Sequence, residues 1–185
     1  MKINIDINNT IDDFVPVFIQ YLNSLGVEKT VETITWYDLQ KSTGIDRHTL
    51  SCLFFKNPEF YKKLSPLTYS TGSIFALSQQ NEIKFVTAVP YEVVDAEIEF
   101  LRKYFSHIDP HKSLIVTNDK HSIYADIVID DYVNNLTNIN PNCKYIIFDQ
   151  PWNRYYKADN CYRAHTWKDV MRIVEDIEKE NQGVT

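Results

Sequence analysis

Side chains able to do chemistry crowd the start of the chain. Asp6 lies near the end of the alternating run Ile3, Ile5, Ile7, and Asn8, Asp12 and Asp13 follow it. β-Branched residues at that spacing form a strand. A carboxylate at a strand end is a candidate nucleophile or ligand for a hard cation. Other polar groups recur just after later apolar runs: Thr87, Lys120, and Asp130 with Asp131. Each alone has an ordinary use. Asp and Asn make turns and caps, and a lysine is usually solvated. Their repetition at strand ends is what draws attention.

The elements that position these groups follow from hydrophobic periodicity. After Asn8-Asn9-Thr10 turns the backbone, Phe14, Val17, Phe18, Tyr21, Leu22 and Leu25 predict a helix over 13–25, stopped at Gly26. Strands are predicted at 83–87, 114–116, 127–129 and 145–148, and helices at 69–80, 90–105 and 167–178. The stripes Val93, Val94, Ile98, Leu101, Phe105 and Val170, Ile173, Val174, Ile177 face a core. This alternation gives an α/β fold, a parallel sheet of five strands with helices on both faces. Residues 15–68 lack that alternation. They are expected to form a small helical cap, with 1–14 and 69–185 as the core domain. A cap inserted after the first strand lies over the ligand-binding end of the sheet.

Composition narrows the function. The 185 residues are 44% hydrophobic and 14% aromatic, which suits one globular unit. A formal charge of −6 argues against a duplex nucleic-acid partner, while leaving room for a small anion held locally. Cys52, Cys143 and Cys161 are odd in number and widely spaced, so no disulfide framework or zinc site is expected. No apolar run approaches 18 residues and no leader pattern opens the chain, so a membrane partner is not expected and a cytoplasmic location is. Dimerisation is left open.

Taken in order, "IDINNT", "FVTA", the lysine of "NDKH" and "IVIDD" resemble the four motifs of the haloacid dehalogenase (HAD) superfamily of phosphotransferases. Asp13-Phe14, the run Asp119-Lys120…Ala125-Asp126…Ile129-Asp130-Asp131 and the segment from Phe148 to Arg154 resemble the 5′(3′)-deoxyribonucleotidase family within it. The resemblance implies a Mg²⁺-dependent phosphatase of nucleoside monophosphates. Asp6 would attack phosphorus and form an aspartyl-phosphate. Mg²⁺ would be held by Asp6, the main-chain carbonyl of Asn8 and the Asp130/Asp131 pair. Thr87 and Lys120 would bind the phosphate. Phe14 would pack on the base, with Trp36, Tyr37, Phe60 and Tyr61 of the cap as further pocket candidates. Large aromatics also fill cores. Arg154 would reach the substrate or pin its loop.

One position departs from the family pattern. Position 8 is Asn where the family carries the aspartate that protonates the leaving alkoxide. An amide cannot serve as acid or base. Three readings stand: a substitution introduced to trap a bound species, a nucleotide-binding protein on a phosphatase scaffold, or an active enzyme whose proton comes from elsewhere. A phosphatase of another small metabolite is the alternative substrate class.

Overall fold

The structure, a computed structural model, describes residues 1–181 and residue 183. Its centre is one parallel six-stranded sheet: β1 (Lys2–Ile5), β2 (Glu82–Thr87), β3 (Leu114–Val116), β4 (Ile127–Asp130), β5 (Lys144–Phe148) and β6 (Cys161–Ala164). The order is β3-β2-β1-β4-β5-β6, with every neighbouring pair parallel. β1 is central and covered on both faces: Ile3 and Ile5 on one face are fully buried, as are Ile127 and Ile129 beside them, and Asn4 on the other face is buried too. Strands covered on both sides read as continuous hydrophobic runs. The five-strand expectation missed β6. This edge strand reads Cys-Tyr-Arg-Ala and is only half-buried, so it lacks that apolar signature.

Order in the sheet positions the site. The chain leaves β1 for β2 on one side and later returns to β4 on the other. The carboxyl ends of β1 and β4 therefore flank the point where strand order reverses, the usual ligand crevice of an open α/β sheet. Asp6 follows one end directly, and Asp130 closes the other.

The helices are α1 (Phe14–Ser24), α2 (Leu39–Thr43), α3 (Arg47–Leu50), α4 (Pro58–Tyr61), α5 (Ser70–Ser78), α6 (Val94–Tyr104), α7 (Pro110–Ser113) and α8 (Trp167–Asn181). Residues 28–65 add no described strand to the sheet. Asp38, Asp46 and Asn57 cap their short helices through side-chain oxygens. α3 passes at Ser51 into a π turn, Ser51–Phe55. Phe54 from that turn meets Phe18 of α1 edge to face at 4.6 Å between centroids. Tyr69 precedes α5 in left-handed backbone with no side-chain cap bond.

α6 is rotated relative to its expected stripe. A 3₁₀ turn at Tyr91–Val93 precedes it, and its buried residues are Ala96, Glu97, Phe100 and Leu101. Val94 and Ile98 are only half-buried. One glutamate thus lies on the core face.

Candidate active site

The turn after β1 is built by its own polar side chains. Asn9 takes a left-handed conformation, φ 61°, which Asn tolerates better than most residues. Its Oδ1 accepts a hydrogen bond from the Val15 amide at 2.8 Å. Asp12 Oδ1 accepts from the amides of Asn9 at 2.9 Å and Phe14 at 3.1 Å. These bonds satisfy amides at the start of α1, which Asp13 leaves uncapped. Asp13 instead accepts from the Ser65 amide at 2.7 Å and ties the turn to residue 65. Two late segments complete the turn. Gln150 Nε2 donates to the Asn9 carbonyl at 2.9 Å, and Trp167 Nε1 to the Thr10 carbonyl at 2.8 Å.

Above this turn, Lys120 bridges two strand ends. Its ammonium donates to Asp6 Oδ1 and, at 2.9 Å, to Asp130 Oδ2. All three side chains are nearly buried. Burial works against the lysine's charge, but Asp6 and Asp130 outweigh it and hold its pKa above the usual value. Asp6 is raised to about 7, chiefly by burial, with Lys120 opposing and Asp130 adding. Asp131 is raised too, by burial and then by Asp6 and Asp130. Carboxylates thus outnumber the cation in a low-dielectric pocket.

Asp130 and Asp131 are not equivalent. Asp130 is saturated: besides Lys120 it accepts from the Tyr132 amide at 2.8 Å and from Asn135 Nδ2 at 3.0 and 3.2 Å. Asp131 Oδ2 is buried and has no partner. Ligand atoms of Asp6, Asp130 and Asp131 lie within 4.8 Å of one another. An orphaned carboxylate oxygen inside an all-oxygen, net-negative cluster fits a hard divalent cation.

Asp6 of this cluster lines a cavity of about 610 Å³. Asp6, Asn8, Thr87 and Lys120 line its base, and Phe14, Phe55, Tyr61, Tyr37, Tyr132 and Trp152 are among its walls. Phe14 and Phe55 lie nearly parallel, 6.0 Å apart. Tyr37 stacks on Tyr132 at 3.7 Å, joining the 28–65 segment to the residue after Asp131. Asn8 Oδ1 is buried and unpartnered.

Three expected substrate residues lie elsewhere. Trp36 is exposed under the Lys41 ammonium, while its neighbour Tyr37, also exposed, lines the cavity. Phe60 is buried behind Phe14, against Phe54, as core. Arg154 points to solvent, since Asn153 takes the inward position of that turn. Asn153 Nδ2 donates to the carbonyls of Asp131 and Phe148, both at 2.8 Å. The residue that pins this loop is Arg163 of β6, which donates to Asp149 Oδ1, Asn153 Oδ1 and the carbonyls of Asn153 and Tyr156. Missing β6 hid it.

Comparisons with known proteins bear on the family and the fold. The family described as 5′ nucleotidase, deoxy (pyrimidine), cytosolic type C protein matches residues 1–180. A 5′(3′)-deoxyribonucleotidase of Bacillus subtilis is 26% identical over 174 residues, 92% of this chain and 96% of that protein. One from Clostridium acetobutylicum is 23% identical over 177 residues, 95% of each chain. In fold, a HAD family hydrolase from Deinococcus radiodurans superposes with TM-score 0.59 at 11% identity, covering 95% of both chains. The haloacid dehalogenase-like protein SP0104 of Streptococcus pneumoniae gives 0.58 at 13% identity, covering 94% of this chain and 97% of that one.

Proposed function

The chain belongs to the deoxy, cytosolic type C family of 5′ nucleotidases, hydrolases on the HAD fold, and from that premise we propose that it cleaves the phosphomonoester of (deoxy)nucleoside monophosphates through Asp6. The observation that carries this reading is the Lys120 bridge between Asp6 and Asp130, at the foot of an aromatic-walled cavity.

Phosphate-monoester hydrolysis without a catalyst is among the slowest reactions known. A carboxylate nucleophile divides it into two easier displacements. Asp6 attacks phosphorus, the bond to the nucleoside oxygen breaks, and water later attacks the aspartyl-phosphate to release phosphate and free Asp6. Lys120 holds Asp6 in place and balances charge on the phosphoryl oxygens. Thr87, buried at the end of β2, supplies a hydroxyl donor. Asp6, the Asn8 carbonyl and Asp131 would hold Mg²⁺, with Asp130 orienting Lys120. The cation would supply relief of repulsion between carboxylate and phosphate dianion. Phe14, Phe55 and Tyr61 offer apolar faces for the base, and the 28–65 segment caps the cavity.

Asn8 leaves the leaving group without its customary acid. Turnover is therefore low while binding persists. The test is a phosphate-release panel over ribo- and deoxyribonucleoside monophosphates, run on this chain and on Asn8→Asp. General acid–base catalysis is worth about 10²–10⁴ in rate, so Asn8→Asp should raise kcat by roughly 10² or more and change KM less. Equal kcat in both would remove Asn8 from the acid–base position. No hydrolysis and no nucleotide binding in either would overturn the substrate assignment.

A further inference from the structure

Asn4 stands in the middle of the central strand, only 4% exposed, and takes no part in the chemistry just described. Its Nδ2 donates at 3.0 Å to the carbonyl of Ile123, which closes the short turn begun by Lys120. That bond fixes which way the amide faces, since exchanging N and O would set two acceptors against each other. The other branch, Oδ1, is buried and has no hydrogen-bond partner. Native proteins seldom leave a buried amide oxygen without a donor, because its desolvation goes uncompensated. Side chains alternate along a strand, so Asn4 and Asp6 share a face of the sheet. The Asp6 amide still bonds to the Ile129 carbonyl, which keeps the strand regular to that point. Parallel pairing sets Val128 beside Asn4 and, one pleat on, Asp130 beside Asp6.

A second, much smaller cavity lies on that face behind the nucleophile. Asn4, Asp6, Lys120, Asp130 and Asn135 supply its polar lining. It measures about 10 Å³, enough for one water molecule and no more. Apolar cavities of protein interiors stay dry, whereas a site with several polar partners holds water. The Lys120 ammonium on the wall excludes a second cation. Asn4 and Asp6 are two strand steps apart, about 6.6 Å, too far for parallel side chains to bond directly and suited to one bridging water. Asp130 is not the other partner, because its oxygens already take four hydrogen bonds. Asp6 accepts from Lys120 and, at 3.4 Å, from the Thr10 hydroxyl, and has lone pairs to spare. We propose that one water is bound in this cavity, donating one proton to Asn4 Oδ1 and the other to Asp6, so that Asn4 holds the nucleophile from behind. Asn4 is a positioning residue. Through the water it steadies the rear of the Asp6 carboxylate, and through Ile123 it steadies the turn that presents Lys120. That role rests on the reading that Asp6 is the nucleophile, while the water site stands apart from any substrate.

Crystals of the parent, Asn4→Leu and Asn4→Ala, at a resolution that shows ordered waters, test the site without any substrate. The parent should show one water within hydrogen-bond reach of Asn4 Oδ1 and Asp6. Leucine is close to asparagine in size and brings no acceptor. In Asn4→Leu the water should be gone and the Asp6 carboxylate should occupy more than one conformer. The Ile123 carbonyl keeps the Asn138 Nδ2 donor at 2.7 Å, so the Lys120 turn should stay in place. Asn4→Ala opens room that solvent refills, and Asp6 should remain ordered there. Kinetics in the Asn8→Asp background read the consequence. kcat should fall about 10-fold or more in Asn4→Leu, the effect of one hydrogen bond to a charged group, and stay within about threefold in Asn4→Ala. KM should move less than about twofold in both, because the groups facing the substrate are unchanged. A purely structural role would make Asn4→Ala, with its larger cavity, the worse of the two. A parent crystal with no water between Asn4 and Asp6 overturns the proposal whatever the substrate. So does an Asp6 as well ordered in Asn4→Leu as in the parent, or an equal kcat in those two. An inactive nucleotide panel with the water in place counts against the substrate assignment alone.

Discussion

Asp6 carries opposing demands. A nucleophile must be ionised, yet burial raises its pKa to about 7. The folded chain therefore holds a proton that an unfolded chain, with an ordinary value near 3.8, has released. Between those two values the native state binds more protons, so this group's contribution to stability falls as pH rises. Removing the charge should reverse that loss. In magnesium-free buffer, Asp6→Asn should melt above the parent at pH 8, by on the order of 1 kcal/mol after losing its bond to Lys120. The gain should shrink at pH 5, and hydrolysis should vanish at both. A lower Tm at pH 8 would show that the Lys120 pairing dominates the burial penalty. Residues such as Asp6, Thr87, Lys120 and Asp130 were legible because they stand at or just after the ends of apolar runs, and such runs mark strand ends. Glu97 was not. It stands between Asp95 and Glu99 in a stretch that reads as solvated, and only packing of α6 against the core puts it inside.

Short elements carry as much of the site as long ones. The edge strand β6 supplies Arg163, whose guanidinium holds four acceptors of the loop after β5. That loop in turn supplies Trp152 to the cavity and Gln150 to the Asn9 carbonyl. Arg163→Met should free the loop. Hydrogen bonds involving a charged group contribute about 1.5–3 kcal/mol, so the melt should shift down by a comparable amount, with KM for nucleotide raised. An unchanged KM would detach the loop from substrate binding. The sheet's inner strands were readable from β-branched runs, whereas β6 was hidden by its polarity. In residues 28–65 the helical character was visible, but which aromatics lined the cavity was not. Tyr37 and Trp36 are neighbours and both exposed, yet only Tyr37 lines the cavity, through a contact with Tyr132 that no local pattern encodes.

Across the molecule, negative charge converges where β1 and β4 end, and a cation should stabilise the whole fold. A ligand at 100 times its Kd adds about 2.7 kcal/mol. Mg²⁺ should raise Tm in a saturable way, and Asp131→Asn should abolish the rise. An identical rise in that variant would move the metal elsewhere. No helix among the described residues is long and apolar enough to cross a membrane. The tie between the first turn and the last elements has a further consequence, in time. Thr10 waits for Trp167 and Asn9 for Gln150. A ribosome adds about 5–20 residues per second, so the nucleophile is made roughly ten seconds or more before its turn can be finished. Hydrolytic activity is thereby postponed until synthesis is nearly over, and a nascent chain that stalls before Trp167 carries every motif but the closing tie.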